Sequence, residues 1–401
     1  MSIESRSPPP QRALRLKRAL GGRAGWGGFV LQILFVLILT WIGYEVFVNA
    51  RANLENQRIT SGFGFLNNTA GFDVSQSLIP YSGSDTYTRV FLVGLLNTIL
   101  VSVIGIVFAT LIGFIVALGR LSPNWLMSRV AGGYVELIRN LPLLFQMLFW
   151  YLAVLAALPG PRQSVSLFGA FFLNNRGLII PRPVGQAGLA PFAVALLVAV
   201  VVSIMVHAYA RRQLFEKGNA ITVWPIMLAL LIGSPLVTAL LFGVPFTVEV
   251  PELKGFNFVG GLRVIPELVA LAIALSTYTA AFIAEIVRAG ILSVHKGQME
   301  AGLSLGLRRG TVLRLIVIPQ ALRLILPPLT SQYLNLTKNS SLAVAIGYPD
   351  LVSVFAGTTL SQTGQAIEII AITMGVYLAL SLFTSAIMNF YDSRLSRSLR
   401  A

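Results

Sequence analysis

The sequence predicts an all-α, polytopic transmembrane protein of about eight spans with both termini cytoplasmic, and three observations carry that expectation. Of 401 residues, 55% are hydrophobic and only 11% charged, less than half the roughly 25% of an average soluble chain. So few charges cannot make a water-facing coat. Runs of about 20 apolar residues, the length a helix needs to cross a hydrocarbon core roughly 30 Å thick, recur along the chain. The basic residues, 30 against 15 acidic ones for a net charge of +15, gather between alternate runs, as cytoplasmic loops do.

Residues 1–28, with Pro8, Pro9 and Pro10 among arginines, read as a disordered basic cytoplasmic tail. The first span, 29–48, carries Glu45 near its far end. It is longer than a signal-peptide core of about 7–15 residues, and Val48-Asn49-Ala50-Arg51 is a poor cleavage site, so the segment is expected to stay as an extra N-terminal span. Residues 49–89, rich in Gly, Asn and Ser, form a periplasmic loop, followed by spans at 90–118 and 141–158. The segment 159–265 reads as loops around an inserted two-span hairpin, 191–210 and 222–242, whose turn carries Arg211, Arg212, Glu216 and Lys217. A sixth span, 266–287, has Glu285 near its far end. The seventh is short, polar and broken: only 14 residues separate Arg323 from Lys338, and they include Pro327, Pro328, Gln332 and Asn335. The eighth, 366–390, precedes a cytoplasmic tail at 391–401. This arrangement puts 21 of the 30 basic residues on one side. The loop with Arg162, Arg176 and Arg182 runs against the trend.

The same counts exclude several classes of function. No cysteine is present, which removes disulfides, thiolate metal sites and cysteine nucleophiles. His207, at the inner end of the fourth span, reads as interfacial and His295 as solvated. Two such separated histidines supply neither a metal cluster nor a catalytic triad, so the expectation is a chain with no metal, no cofactor and no enzymatic activity. No G-x-x-x-x-G-K-[ST] phosphate loop occurs, and Gly21-Gly22-Arg23-Ala24-Gly25 lacks its lysine and strand context. No segment is long and charged enough to make a nucleic-acid-binding face, so the basic excess is a topology signal.

The stretch 288–320 has internal order. His295 to Gly306 reads as a short helix that Gly306 ends in a left-handed conformation. Arg308-Arg309-Gly310-Thr311 turns the chain, Thr311 is placed to cap a new helix, and the residues up to Pro319 lead back to the membrane. Met299, Leu303 and Leu307 share a stripe. Such a helix either docks onto a partner or lies on lipid headgroups.

Residue spacing bears on that choice. Glu300-Ala301-Gly302, three residues, Gly306, nine residues, Ile316, one residue and Ile318-Pro319 resemble the EAA loop of bacterial ABC-importer permeases, E-A-A-x3-G-x9-I-x-L-P, with Gly302 and Ile318 as small departures. Glu285-Ile286-Val287-Arg288-Ala289-Gly290, Pro319-Gln320-Ala321-Leu322-Arg323, Lys338-Asn339-Ser340-Ser341-Leu342 and Glu136-Leu137-Ile138-Arg139-Asn140-Leu141-Pro142-Leu143-Leu144 are similar to the polar-amino-acid subfamily. The resemblance implies a five-span core at 90–158 and 266–390. The extra N-terminal span, the inserted hairpin and the segment from Leu173 to Leu178 resemble the general L-amino-acid permeases of Gram-negative bacteria. The implied function is L-amino-acid import across the inner membrane by alternating access. The implied partners are a second homologous permease in a heterodimer, two ATP-binding subunits that use ATP and Mg, and a periplasmic amino-acid-binding protein. Glu300, Ala301, Gly302, Gly306, Ile316 and Pro319 then form the coupling loop to the ATPase.

Polar groups inside hydrocarbon are costly and often line a pathway. Thr277 and Tyr278 in the sixth span, and Ser331, Gln332 and Asn335 in the seventh, are the candidates to meet a zwitterionic substrate. The alternative is hydroxyls bonded to backbone carbonyls in tight helix packing. Glu285 with Arg288, and Glu136 with Arg139, stand three apart at cytoplasmic ends, either as local ion pairs or as parts of an inward gate. A different class, an ion-coupled secondary transporter of small polar solutes, would show internal repeats and mid-membrane sites. No repeat is visible and the span acids lie toward the ends.

Overall fold

The computed structural model describes residues 26–56, 62–218 and 222–398. Most of the N-terminal tail and the last three positions of the C-terminal tail lie outside the described residues. The chain divides into two compact units, Met1–Gly64 with Thr363–Glu368, and Phe65–Gln362 with Ile369–Ala401. Among the described residues, seven helices are long and apolar enough to cross a membrane, and a bent pair brings the total to eight if it counts as one span.

The first unit contains α1 (Trp26–Asn56). Its large apolar side chains from Val30 to Val48 are exposed on every side. A helix apolar all round is a lipid-facing span rather than an amphipathic surface helix.

The second unit is organised around α2 (Tyr87–Arg120) and α7 (Pro266–Leu292). On α2, Gly105, Ala109, Gly113 and Ala117 recur every fourth residue and are all buried. Side chains four apart share a helix face, so this spacing leaves one face of α2 with almost no side-chain relief. Lipid gives no hydrophobic drive for helix association, so close packing of small residues supplies it. A Cβ at Gly113 would lie 2.7 Å from Cβ and Cγ2 of Ile283 on α7, and one at Gly105 would lie 3.0 Å from Leu336. Leu336 sits on α10 (Ile318–Asn339), the third helix of this core. Leu271, Leu275, Ile283, Ala284 and Val287 of α7 are buried against them.

The third span differs from the expected 141–158. Two helices, α3 (Trp125–Asn140) and α4 (Leu143–Leu148), the latter continued by a π-helical turn Phe149–Leu155, meet at a 106° bend. Pro142 causes it: the residue before a proline is pushed out of the α region, and Leu141 is extended at φ −98° and ψ 130°. The segment after the corner is too short to cross the bilayer alone. Orphan carbonyls at the end of α3 need partners. The buried Gln146 amide donates to the carbonyls of Ile138 at 2.9 Å and Leu141 at 3.0 Å.

The seventh span also differs, in the opposite sense. A helical path runs from Arg309 to Ile346, 38 residues, through α9 (Arg309–Val312), a π turn at Leu313–Val317, α10 and a 3-10 segment Ser340–Ile346. Pro327 and Pro328 lie inside α10 without breaking it. The carbonyls that the two prolines free are those of Arg323 and Leu324, one turn earlier, and spanning helices tolerate such freed groups. The last span is α12 (Ala366–Ser398), after the one-turn α11 (Leu360–Thr363).

The insertion 159–265 contains strands where the sequence reading had loops. β1 (Val165–Leu167), β2 (Phe171–Asn174), β3 (Gly177–Ile180) and β8 (Leu262–Val264) form an antiparallel sheet in that order. β4 (Arg182–Gly185) pairs with β5 (Phe246–Glu249), and β6 (Glu252–Lys254) with β7 (Asn257–Val259). The β4–β5 ribbon is the base from which α5 (Leu189–Lys217) and α6 (Trp224–Phe242) leave and return as the hairpin. β8 leads directly into α7.

The close approach of α2 to α7 is testable. Gly113→Leu forces a branched side chain into Ile283 and is expected to cost about 1–3 kcal/mol or more through overpacking. Gly375→Leu, at a helical position with open space around it, leaves stability unchanged. Thermal melting of the detergent-solubilised chain compares the two.

Candidate coupling hairpin and membrane-interior polar sites

The stretch after α7 folds as a compact hairpin. α8 spans Lys296–Ser304, and the His295 ring accepts the Gly297 N–H at 3.1 Å as its N-cap. Gly306 ends it at φ +74°. The Leu307 N–H donates to the Gly302 carbonyl at 3.3 Å and the Gly306 N–H to the Leu303 carbonyl at 2.9 Å, the paired bonds of a Schellman stop. The return helix α9 starts at Arg309 with Arg308 as its cap residue. Thr311 is therefore not the cap, because its N–H already donates to the Arg308 carbonyl at 2.8 Å inside the first turn.

The hairpin has a distinct inner and outer side. Gly302 is the buried residue of α8, and a Cβ there would come within 2.9 Å of both Val312 methyls and 3.2 Å of Ile316. Glu300, Ala301, Leu303, Leu305 and Gly306 face outward, Leu305 at 79% exposure. Ile316 and Pro319 are half-buried in the return path, and Met299 is half-buried on α8. The smallest side chain of the motif thus faces α9 and its π turn, while its acid and alanine face solvent.

Behind the hairpin lies a charge cluster. Arg288 donates to Glu285 at 2.5 Å, and Arg120, at the end of α2, donates to the other Glu285 oxygen. One carboxylate therefore ties together the ends of α2 and α7 nearest the hairpin. Arg120 was legible only as a topology charge, since its partner is 165 residues away. Glu136 and Arg139 form no ion pair among the described residues. Arg139 instead lies over the Phe282 ring, 5.1 Å from its centroid, while Glu136 lines a cleft of about 710 Å³ with Arg120, Arg129 and Arg288. Helical spacing permits a three-apart pair but does not compel it.

The intramembrane polar residues separate into two behaviours. The Thr277 hydroxyl returns to its own helix, donating to the Ile273 carbonyl at 2.7 Å, and Tyr278 packs on Phe282 with centroids 5.0 Å apart. On α10, Ser331 and Asn335 are exposed one turn apart and Gln332 beside them is half-buried. With Pro328 and Lys338 they make a stripe facing away from the core. No hydrogen bond joins the α7 pair to the α10 set among the described residues.

Asp350, fully buried between the last two spans, carries no sequence signature. Its carboxylate accepts the Ser353 N–H at 2.8 Å and the Tyr377 hydroxyl at 3.3 Å. Tyr348 donates to the Asn97 carbonyl, and Asn97 to the Pro349 carbonyl. Burial pushes the Asp350 carboxyl up to about 7. No group of three or more metal-ligating side chains occurs among the described residues.

A bundle of membrane-length helices, with one ordered polar hairpin between α7 and α10, defines a polytopic membrane protein. The chain belongs to the binding-protein-dependent transport system inner membrane component family, whose profile matches residues 109–397. It is a multi-pass transport protein of the bacterial inner membrane. It is 54% identical over 368 residues to the permease protein YhdX of Escherichia coli, covering 92% of this chain and 94% of that one. It is 50% identical over 366 residues to the general L-amino acid transport system permease protein AapQ of Rhizobium johnstonii, covering 91% of each. It is 39% identical over 424 residues to the glutamate/glutamine/aspartate/asparagine transport system permease protein BztB of Rhodobacter capsulatus, covering 97% of this chain and 98% of that one.

The Asp350 carboxyl makes stability depend on pH. The folded chain keeps this proton up to about pH 7, while the unfolded chain loses it near the ordinary aspartate value of 3.8. Between those values the folded state binds more protons, so stability falls as pH rises through the window. Asp350→Asn is expected to flatten that part of the profile of melting temperature against pH.

Proposed function

We propose that this chain is one of two permease subunits of an ABC importer that carries L-amino acids by alternating access. The carrying observation is the hairpin around Glu300–Gly306, which presents Glu300 and Ala301 to solvent from a helix locked by Gly302 and Gly306. In this reading the ATPase seats α8 in a surface groove, and movement of α8 passes through α9 into α10. ATP and Mg are used by that separate subunit, and this chain catalyses no reaction itself. A periplasmic binding protein delivers the amino acid, and a second, homologous permease completes a heterodimer. The similarity, over nearly their whole length, to a general L-amino acid permease and a glutamate/glutamine/aspartate/asparagine permease supports the substrate class.

The exposed stripe of Ser331 and Asn335 with Gln332 is the substrate-pathway face in this proposal, since uncovered polar groups in hydrocarbon need a water-filled or protein-lined neighbour. Thr277 and Tyr278 contribute shape more than hydrogen bonds. The Arg120–Glu285–Arg288 cluster fastens the inner ends of α2 and α7 as part of the inward gate, with Glu136 and Arg139 beside it.

Glu300→Lys places a wrong-sign charge on the docking face and is expected to leave the assembled complex able to hydrolyse ATP while uptake falls at least tenfold. Uptake at the wild-type rate would remove the coupling assignment. Depleting ATP with the proton gradient intact is expected to abolish transport in reconstituted vesicles. Persistent uptake under those conditions would instead identify an ion-coupled carrier.

A further inference from the structure

One cleft belongs to none of these sites. It opens between α5 and α6 near the turn of the inserted hairpin and has a volume of about 690 Å³. His207, Arg211, Arg212 and Glu216 line it from α5, with Ile204 on the same helix and Met227 across from α6. The spacing 204, 207, 211 puts these groups on one face of α5. None of the residues of α6 is buried, so the wall it makes is open to the bilayer on its far side.

Depth identifies what such a cleft meets. The apolar span of α5 ends at Leu214, so Arg211 and Arg212 sit in its last turn, at the level of lipid headgroups. Trp224, at the first turn of α6, is 66% exposed, and exposed tryptophan marks the same interfacial layer. The distribution of basic residues assigns this end to the cytoplasmic leaflet, where anionic lipids reside. The guanidinium fork matches phosphate oxygens in pairs. Two arginines against the one carboxylate of Glu216 make the lining cationic, which suits an anionic phosphodiester. Below the charges, Ile204 and Met227 offer an apolar floor that a free anion has no use for.

We propose that this cleft binds an anionic phospholipid, its phosphodiester on Arg211 and Arg212 and one acyl chain along Ile204 and Met227. The insertion is then a lipid-holding hairpin attached to the transport core. Because the site lies outside the coupling hairpin and the charge cluster, its occupancy is read by binding and does not depend on transport.

The full-length chain, purified in detergent, is titrated with phosphatidylglycerol, phosphatidylcholine and inorganic phosphate, and bound species are counted by native mass spectrometry. The wild type is expected to retain phosphatidylglycerol at least fivefold over phosphatidylcholine. Arg211→Gln with Arg212→Gln lowers retention of phosphatidylglycerol to that of phosphatidylcholine, and Met227→Trp, which fills the apolar floor and keeps every charge, lowers it as well. Equal retention of the two lipids by the wild type, or unchanged phosphatidylglycerol binding in both variants, overturns the proposal. Displacement of phosphatidylglycerol by millimolar inorganic phosphate, with Met227→Trp without effect, also overturns it by showing a free-anion site.

Discussion

The close approach of α2 to α7 is the constraint on which the rest of the transport core depends. Inside a bilayer, apolar side chains gain nothing by leaving lipid for protein, so helices hold together through contact that only small residues permit. The Gly105, Ala109, Gly113, Ala117 face supplies that contact and lets Ile283 and Leu336 fill the space a side chain would take. Everything of functional interest is then placed by helices fixed to this pair. α7 ends at the Glu285 cluster and releases α8, and α10 receives the return path and carries the exposed polar stripe. At the end nearest the hairpin, the Glu285 carboxylate adds a polar tie where the apolar contact stops.

Two proline positions show how the same residue has opposite outcomes in one fold. Pro142 makes a corner because Leu141 takes an extended backbone and Gln146 is at hand to satisfy the carbonyls that the corner strands. Pro327 and Pro328 instead lie inside α10, which continues past them with Ile325 and Leu329 buried on either side. The corner also explains α3: once the chain turns through 106°, the helix before it is no longer continuous with the segment after it.

Much of this was legible in the sequence, for identifiable reasons. Span lengths follow from hydropathy, and the stop at Gly306 follows from the need for a residue that tolerates positive φ. Spacing alone placed Met299, Leu303 and Leu307 on one stripe, and it did not show that Gly302 is the buried residue of α8 while Leu303 and Leu307 are exposed. The corner was hidden because Leu141-Pro142 sits in an apolar run that reads as one span. The strands of the insertion were hidden because three- and four-residue segments leave too few positions for an alternating pattern. Arg120 and Asp350 were hidden because their partners, Glu285 and the Asn97–Tyr348–Tyr377 neighbourhood, come from distant parts of the chain. Local spacing also misassigned Arg139, which found an aromatic face on α7 instead of Glu136 on its own helix.

The helical path from Arg309 to Ile346 is longer than a bilayer crossing requires. Thirty-eight residues at about 1.5 Å of rise each make a member roughly 57 Å long, and the π turn at Leu313–Val317 and the two prolines interrupt its hydrogen-bond ladder without ending it. That length carries the return limb of the hairpin, in one helical member, to the face on which Ser331 and Asn335 are exposed.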